Sequence, residues 1–293
     1  MRMGLFGIAF LAIGALLAGA APRFFQTSTS PIEKDAKPPS DSIQEKVHRA
    51  LANDALEDED AIRELFLLGD EAVLPLIRFL HDPNEERRAG AARGLAYIGN
   101  QQGIQALRIA SKTERDKETK SAIACFLAGG LVDTKSEHDL NYLRTSVERA
   151  RFVDDDDKEF PAFCAALALA MRGRKDSLPL LQKVAKADVL DSDEIEKSIL
   201  WIQNKSASGQ VNTGPASNDE ELIKRFVLDG TFFAEKQRDK TSVEQITFNS
   251  ARNRVLVSVE IYLSRRDARG YDVVLAKESG VWRVVGIWFA WVA

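Results

Sequence analysis

Four cations recur at similar places along the chain, Arg78, Arg108, Arg144 and Lys183, each inside a run with helical apolar spacing. Stacked side by side they would form a basic ladder suited to carboxylates or other anions, and they are the candidate contacts for an acidic protein partner. Ordinary solvated surface is the competing reading, because scattered exposed charges rarely do anything specific. Catalytic sets are not apparent. His48, His81 and His138 are scattered without metal-ligand spacing, and His81 falls in a turn signal. No G-x-S-x-G, phosphate loop or H-E-x-x-H occurs. The expectation is no catalytic residue, no metal and no cofactor. Asp154 to Asp157 cluster oxygens, but without the alternation and glycine of a calcium loop. They read as an acidic loop before the helix opened by Phe160-Pro161. The tail supplies a different candidate. Its aromatic residues most simply fill a core. The sharper reading is a pocket for an apolar ligand between a helix and a sheet, with Phe232, Tyr262, Trp288 and Trp291 as its wall.

Composition narrows the function classes. The chain has 293 residues, is 45% hydrophobic and 29% charged, and carries a net charge of −4. It can bury a core and has room for about two domains. No dense basic block appears, so nucleic acid is not an expected partner. Met1 to Ala20 have the layout of a secretory signal: a short basic start, an apolar run, then Ala18-Gly19-Ala20 for cleavage. The rival reading is an uncleaved anchor, since the run is nearly long enough to span a bilayer. Either way the folded part is expected outside the cytoplasm, periplasmic or extracellular. Membrane contact is expected only through that segment.

The elements that must position the cations show a repeat. Gly69, Gly99 and Gly130 lie 30 and 31 residues apart, each closing an alanine- and leucine-rich run (61–69, 91–99, 121–130). A fourth run, 164–173, follows after a longer gap. A period of about 20–50 residues signals stacked supersecondary units that bury their apolar faces on one another. Within 72–110, Leu74, Ile77 and Leu80 form one stripe, and His81-Asp82-Pro83-Asn84 ends that helix. Glu85 and Glu86 open the next helix, whose buried face is Ala91, Ala92, Leu95 and Ile98. Gly99 is expected to end it in the left-handed conformation.

These residues resemble HEAT-like repeats of the short, phycobilisome-lyase type. The shared pattern is A-V-x-P-L-I-x-x-L, a D-P turn, an arginine, then A-A-x-x-L-x-x-I-G. Ala72 to Leu80, Asp82-Pro83, Arg88 and Ala91 to Gly99 match it, and Leu178 to Leu181 match part of it. The resemblance covers about half the chain. It implies an all-α solenoid used for protein contacts, with the cation-bearing second helices on its concave side. Chromophore-lyase activity is a weaker implication of the same likeness.

The tail changes character. Residues 219–233 read as a helix with Leu222, Phe226 and Val227 inward. Residues 255–263 alternate as a strand, with Val255, Val257, Val259, Ile261 and Leu263 on one face. Two more strands, 271–278 and 281–292, meet at Glu278-Ser279-Gly280. This resembles a cystatin-like or nuclear-transport-factor-like α+β domain with a curved antiparallel sheet. The expected layout is a signal or anchor over 1–20, a tether over 21–44, the solenoid over 45–204, a linker over 205–218 and the α+β domain over 219–293. The two cysteines, Cys125 and Cys164, sit mid-run on neighbouring helices. An exported chain permits a disulfide. Helix axes about 8–10 Å apart, set against the 7 Å limit for bridged α carbons, argue instead for buried free thiols. The function expected from all this is a non-catalytic scaffold or adaptor. A ligand-binding or enzymatic module in the tail is the alternative.

Overall fold

A computed structural model describes residues 42–52, 58–150, 160–172, 175–186, 210–211, 219–228, 241–264 and 267–292. Helices occupy the first part and a C-terminal antiparallel sheet follows. The helices are α1 (Ile43–Ala50), α2 (Glu59–Leu68), α3 (Val73–Phe79), α4 (Glu85–Ile98), α5 (Gln101–Thr113), α6 (Lys117–Gly129), α7 (Glu137–Arg149), α8 (Phe160–Met171) and α9 (Leu178–Lys186). A two-residue strand β1 (Gln210–Val211) and helix α10 (Asp219–Leu228) precede four long strands. These are β2 (Thr241–Phe248), β3 (Arg254–Ser264), β4 (Asp267–Glu278) and β5 (Val281–Val292).

Local chemistry sets the helix boundaries. Asn84, Asn100 and Asp116 each accept a backbone N–H of the following turn at 2.8–2.9 Å. Such caps satisfy donors that a helix start leaves orphaned. Ser42 and Glu45 close a reciprocal capping box at α1. Gly99 ends α4 at φ 62°, ψ 26°, the left-handed geometry expected of it. Gly130 also follows a helix but stays at φ −74°. Its neighbour Gly129 has a different task. A Cβ there would lie 2.6 Å from the Ile287 carbonyl oxygen, so glycine is what lets α6 touch β5.

The helices pack in two rows. α2, α4, α6 and α8 lie side by side, and their alanines permit close approach. Ala162 through Ala170 of α8 are buried on every side, as an all-apolar helix must be. α1, α3 and α5, and further on α7 and α9, form the second row. Cys125 of α6 and Cys164 of α8 are joined by a disulfide, with α carbons 5.2 Å apart. The expectation of free thiols is therefore wrong, because it set an axis separation against an α-carbon limit. Facing α carbons each stand about 2.3 Å off their axes, so axes about 8–10 Å apart leave them roughly 3–5 Å apart.

The sheet order is β1-β5-β4-β3-β2, all neighbours antiparallel. Val255, Val257, Val259 and Ile261 are buried, as the alternation required. The other face of the sheet lies on the first helix row, where β5 meets α6 and α8 and β2 meets α2. Strand β2 was not legible as a strand from its sequence. On α10 Ile223 is fully buried and Leu222 partly so, the side chains of Phe226 and Val227 lie outside the described ones, and Asp219 pairs with Lys277 of β4 at 2.8 Å. Residues 41–293 form one compact unit. Of the expected linker only Gln210 and Val211 are described, paired with Arg283 and Trp282. The N-terminal segment and Asp154 to Asp157 lie outside the described residues, among which no helix is long and apolar enough to cross a membrane.

Candidate functional site

The four ladder cations all fall on the second helix row, away from the sheet: Arg78 on α3, Arg108 on α5, Arg144 on α7 and Lys183 on α9. Three of them tie neighbouring elements together. Arg108 pairs with the buried Asp139 at the start of α7, at 2.5 Å, and also reaches Gln105 at 2.9 Å. Arg144 pairs with Glu137 at 3.0 Å and with Asp176, just before α9, at 2.9 Å. Lys183 donates to the carbonyls of Glu148 and Ala150 at the end of α7, at 3.0 and 3.1 Å. Arg78 is exposed, beside a smaller cleft lined by Gln44, Pro75, Phe79 and Asp82. Three ties between neighbouring elements span 30 to 32 residues. Asn100 bonds Asp70, 30 residues back, at 2.8 Å; Arg108 reaches 31 residues forward to Asp139; Arg144 reaches 32 residues forward to Asp176.

Between α5 and α7 the second row opens into a cleft of about 380 Å³. Arg108, Lys112, His138 and Arg149 line it, over Leu127 and Tyr142. Spacing explains the arrangement. Arg108 and Lys112 are one turn apart on α5, and Tyr142, Ser146 and Arg149 follow at helical intervals on α7. Leu127 is buried and Tyr142 partly so, and desolvation of its phenol pushes the pKa up to about 12. Lys112, His138 and Arg149 are exposed. The sequence singled out Arg108 of these residues and not Lys112, Arg149 or Tyr142. The signal was present as cations and an aromatic on facing helices, but only the pairing of α5 with α7 brings them to one cleft.

A second polar cluster is buried between the helices and the sheet. Arg93 and Tyr97 stand one turn apart on α4, in the otherwise apolar run Ala91 to Ile98. Arg93 donates to Asp272 of β4 at 3.0 Å and to Glu59 of α2 at 2.5 Å, and its Nε donates to the Tyr97 oxygen at 3.1 Å. Tyr97 donates to Asp272 at 2.7 Å. Ser258 of β3 donates to the other Asp272 oxygen at 2.7 Å and accepts from Arg63 of α2 at 2.9 Å. Asp272 is 1% exposed and Arg93 4%. Burial works against the Arg93 charge, but Tyr97, Asp272 and Glu59 more than offset it and raise its pKa. Burial, then Asp272, pushes Tyr97 well above the ordinary phenol range. Nearby, Arg254 of β3 donates to the carbonyls of Ile98 and Tyr97, where the end of the α4 dipole favours a cation. Through Arg63, Arg93, Tyr97, Ser258 and Asp272 this seam joins the helix layer to the sheet.

Of the four tail aromatics expected to wall a pocket, the side chains of Trp288 and Tyr262 are described. Trp288 is buried against Tyr97, ring centroids 4.3 Å apart, and its indole N–H donates to the Phe126 carbonyl at 3.1 Å. Tyr262 is 48% exposed and donates to Glu260 at 2.5 Å. Trp291 lies on β5 opposite Gly270, and Phe232 lies outside the described residues. The histidines stay apart, and among the described residues no three side chains could hold a metal ion. No family model matches the chain, and no curated protein matches it either.

Proposed function

We propose that this chain is a non-catalytic scaffold that works outside the cytoplasm. Its helical pairs form a HEAT-like solenoid, and it binds an acidic protein partner along the row α3, α5, α7 and α9. One observation carries the reading: the sheet covers one helix row, and the four cations on successive helices lie on the other. Ties at intervals of 30, 31 and 32 residues support a stacked repeat. The Cys125–Cys164 disulfide supports an oxidising compartment. Ion pairs do not remove the row's electrostatic role. They lower its net field and leave attraction to the cations without a neutralising carboxylate.

The test is binding of a labelled Glu-rich peptide to the full chain, followed from about 0.01 to 0.1 M salt, where the screening length shrinks from about 30 to about 10 Å. Affinity is expected to fall with salt, and a Lys-rich peptide is expected not to bind. Arg78→Glu should weaken binding and flatten its salt dependence. A chain that binds neither peptide, or both alike, refutes the reading.

A further inference from the structure

The α5–α7 cleft has a charge unlike that of the chain as a whole. Acids outnumber bases in the sequence, 44 to 40, yet three obligate cations and a histidine line this cleft and no carboxylate does. Arg108 is already held by Asp139 and Gln105. Lys112 and Arg149 are exposed, and neither forms a salt bridge among the described residues. Both stand in the last turn of a helix, where a cation also complements the helix dipole. Charge alone would therefore mean little. What sets the cleft apart is the apolar floor beneath those charges, formed by the partly buried Tyr142 ring with the buried Leu127 at its base. Its volume, about 380 Å³, is near the lower bound for ligand pockets, roughly 300–1,000 Å³. That is room for one or two side chains, not for a folded surface.

We infer that this cleft is a docking site for an extended acidic segment of a protein partner. The segment seats one aromatic or aliphatic side chain against the Tyr142 ring, and its flanking carboxylates meet Lys112 and Arg149. Arg108 is a positioning residue that joins α5 to α7 through Asp139 and so fixes the width of the cleft. The inference rests on the scaffold reading and narrows it from a row of helices to one site. Charge complementarity selects an acidic partner, and the floor selects an acidic segment with an apolar anchor. Charged side chains cannot cover that floor without losing solvation.

The experiment is fluorescence anisotropy on the full chain with two labelled peptides of equal charge, Glu-Glu-Phe-Glu-Glu and Glu-Glu-Ala-Glu-Glu. The phenylalanine peptide should bind about tenfold more tightly, the scale of one buried anchor. The double variant Lys112→Glu with Arg149→Glu should lose about tenfold or more for that peptide, with its thermal melt unchanged because both positions are exposed. If the reversal perturbs the melt, Lys112→Gln with Arg149→Gln removes charge without adding repulsion and should still weaken binding. Equal affinity for the two peptides, or undiminished binding by the neutral variant, overturns the inference. An oligonucleotide of equal charge that binds more tightly than the phenylalanine peptide overturns it as well. If the two peptides bind equally and Arg78→Glu weakens both, the cleft fails while the row reading stands. If neither peptide binds, both fail.

Discussion

Replacing Asp272 by alanine tests whether the helices and the sheet are one cooperative body. The carboxylate accepts from Arg93 at 3.0 Å, from Tyr97 at 2.7 Å and from Ser258 at 2.7 Å, at a position 1% exposed. Removing one partner of a buried charge pair costs about 3–5 kcal/mol, because the remaining charge is left uncompensated. Two features modify that figure. Arg93 keeps Glu59 at 2.5 Å, which favours the lower end. Tyr97 and Ser258 lose an acceptor in a dry site, which favours the upper end. The expected loss is about 4 kcal/mol, a large part of the roughly 5–15 kcal/mol that stabilises a typical domain. Asp272→Asn keeps the shape and part of the hydrogen bonding and should cost less. The double change Arg93→Met with Asp272→Leu should cost less than the sum of its parts, since no charge is stranded. The assay is equilibrium urea unfolding, read by far-ultraviolet circular dichroism for the helices and by tryptophan fluorescence for the sheet, where Trp282 and Trp288 are buried. The two signals should shift together. A loss under about 1 kcal/mol would refute the energetic argument. Signals that separate in the wild type would refute the single body.

Three further outcomes are expected. Replacing Cys125 and Cys164 by alanine should cost about 4 kcal/mol, the chain-entropy value for a loop of that length, and reductant should reproduce the loss; an unchanged midpoint would mean the bridge does not form. Gly129→Ala forces a backbone contact between α6 and β5 and should destabilise by about 1–3 kcal/mol, whereas Gly94→Ala meets only the movable ends of Leu65 and Leu76 and should cost less; equal melts would disprove the close approach. The Tyr142 phenol titrates near 12 when folded and near 10 when unfolded, so its contribution is complete below about pH 10 and is lost as pH rises through 12. Relative to Tyr142→Phe, the wild type should lose about 3 kcal/mol more across that window, and parallel alkaline profiles would contradict the burial of the ring.

Much of the fold was legible because it is written in local chemistry. Asp82-Pro83-Asn84 stops one helix and caps the next, Gly99 takes the left-handed end, and Val255 to Ile261 alternate as a buried strand. Strand β2 was missed because Thr241 to Phe248 has no clean alternation. Its pairing with β3 carries an irregularity between Val243 and Gln245, and its exposure follows no period of two. The disulfide was missed for a different reason, since sequence places two cysteines on neighbouring helices but not the distance between their α carbons. The contacts between helices and sheet were the least legible. Arg93 and Tyr97 interrupt an apolar helix face, and Asp272 interrupts an apolar strand. A polar side chain in a buried position must find a partner. Each interruption thus announced that something lay opposite, while only tertiary packing could say that the three answer one another. The same logic separates the seam from the cleft. Arg93 and Asp272 neutralise each other where water is excluded, which fixes the layers and leaves no charge for a ligand. Lys112 and Arg149 stand exposed at an opening over the partly buried Tyr142, with no salt bridge among the described residues. Of the two polar clusters, the cleft is the one whose exposed cations, Lys112 and Arg149, lack salt-bridge partners among the described residues, and the proposed partner is expected to gain its free energy there.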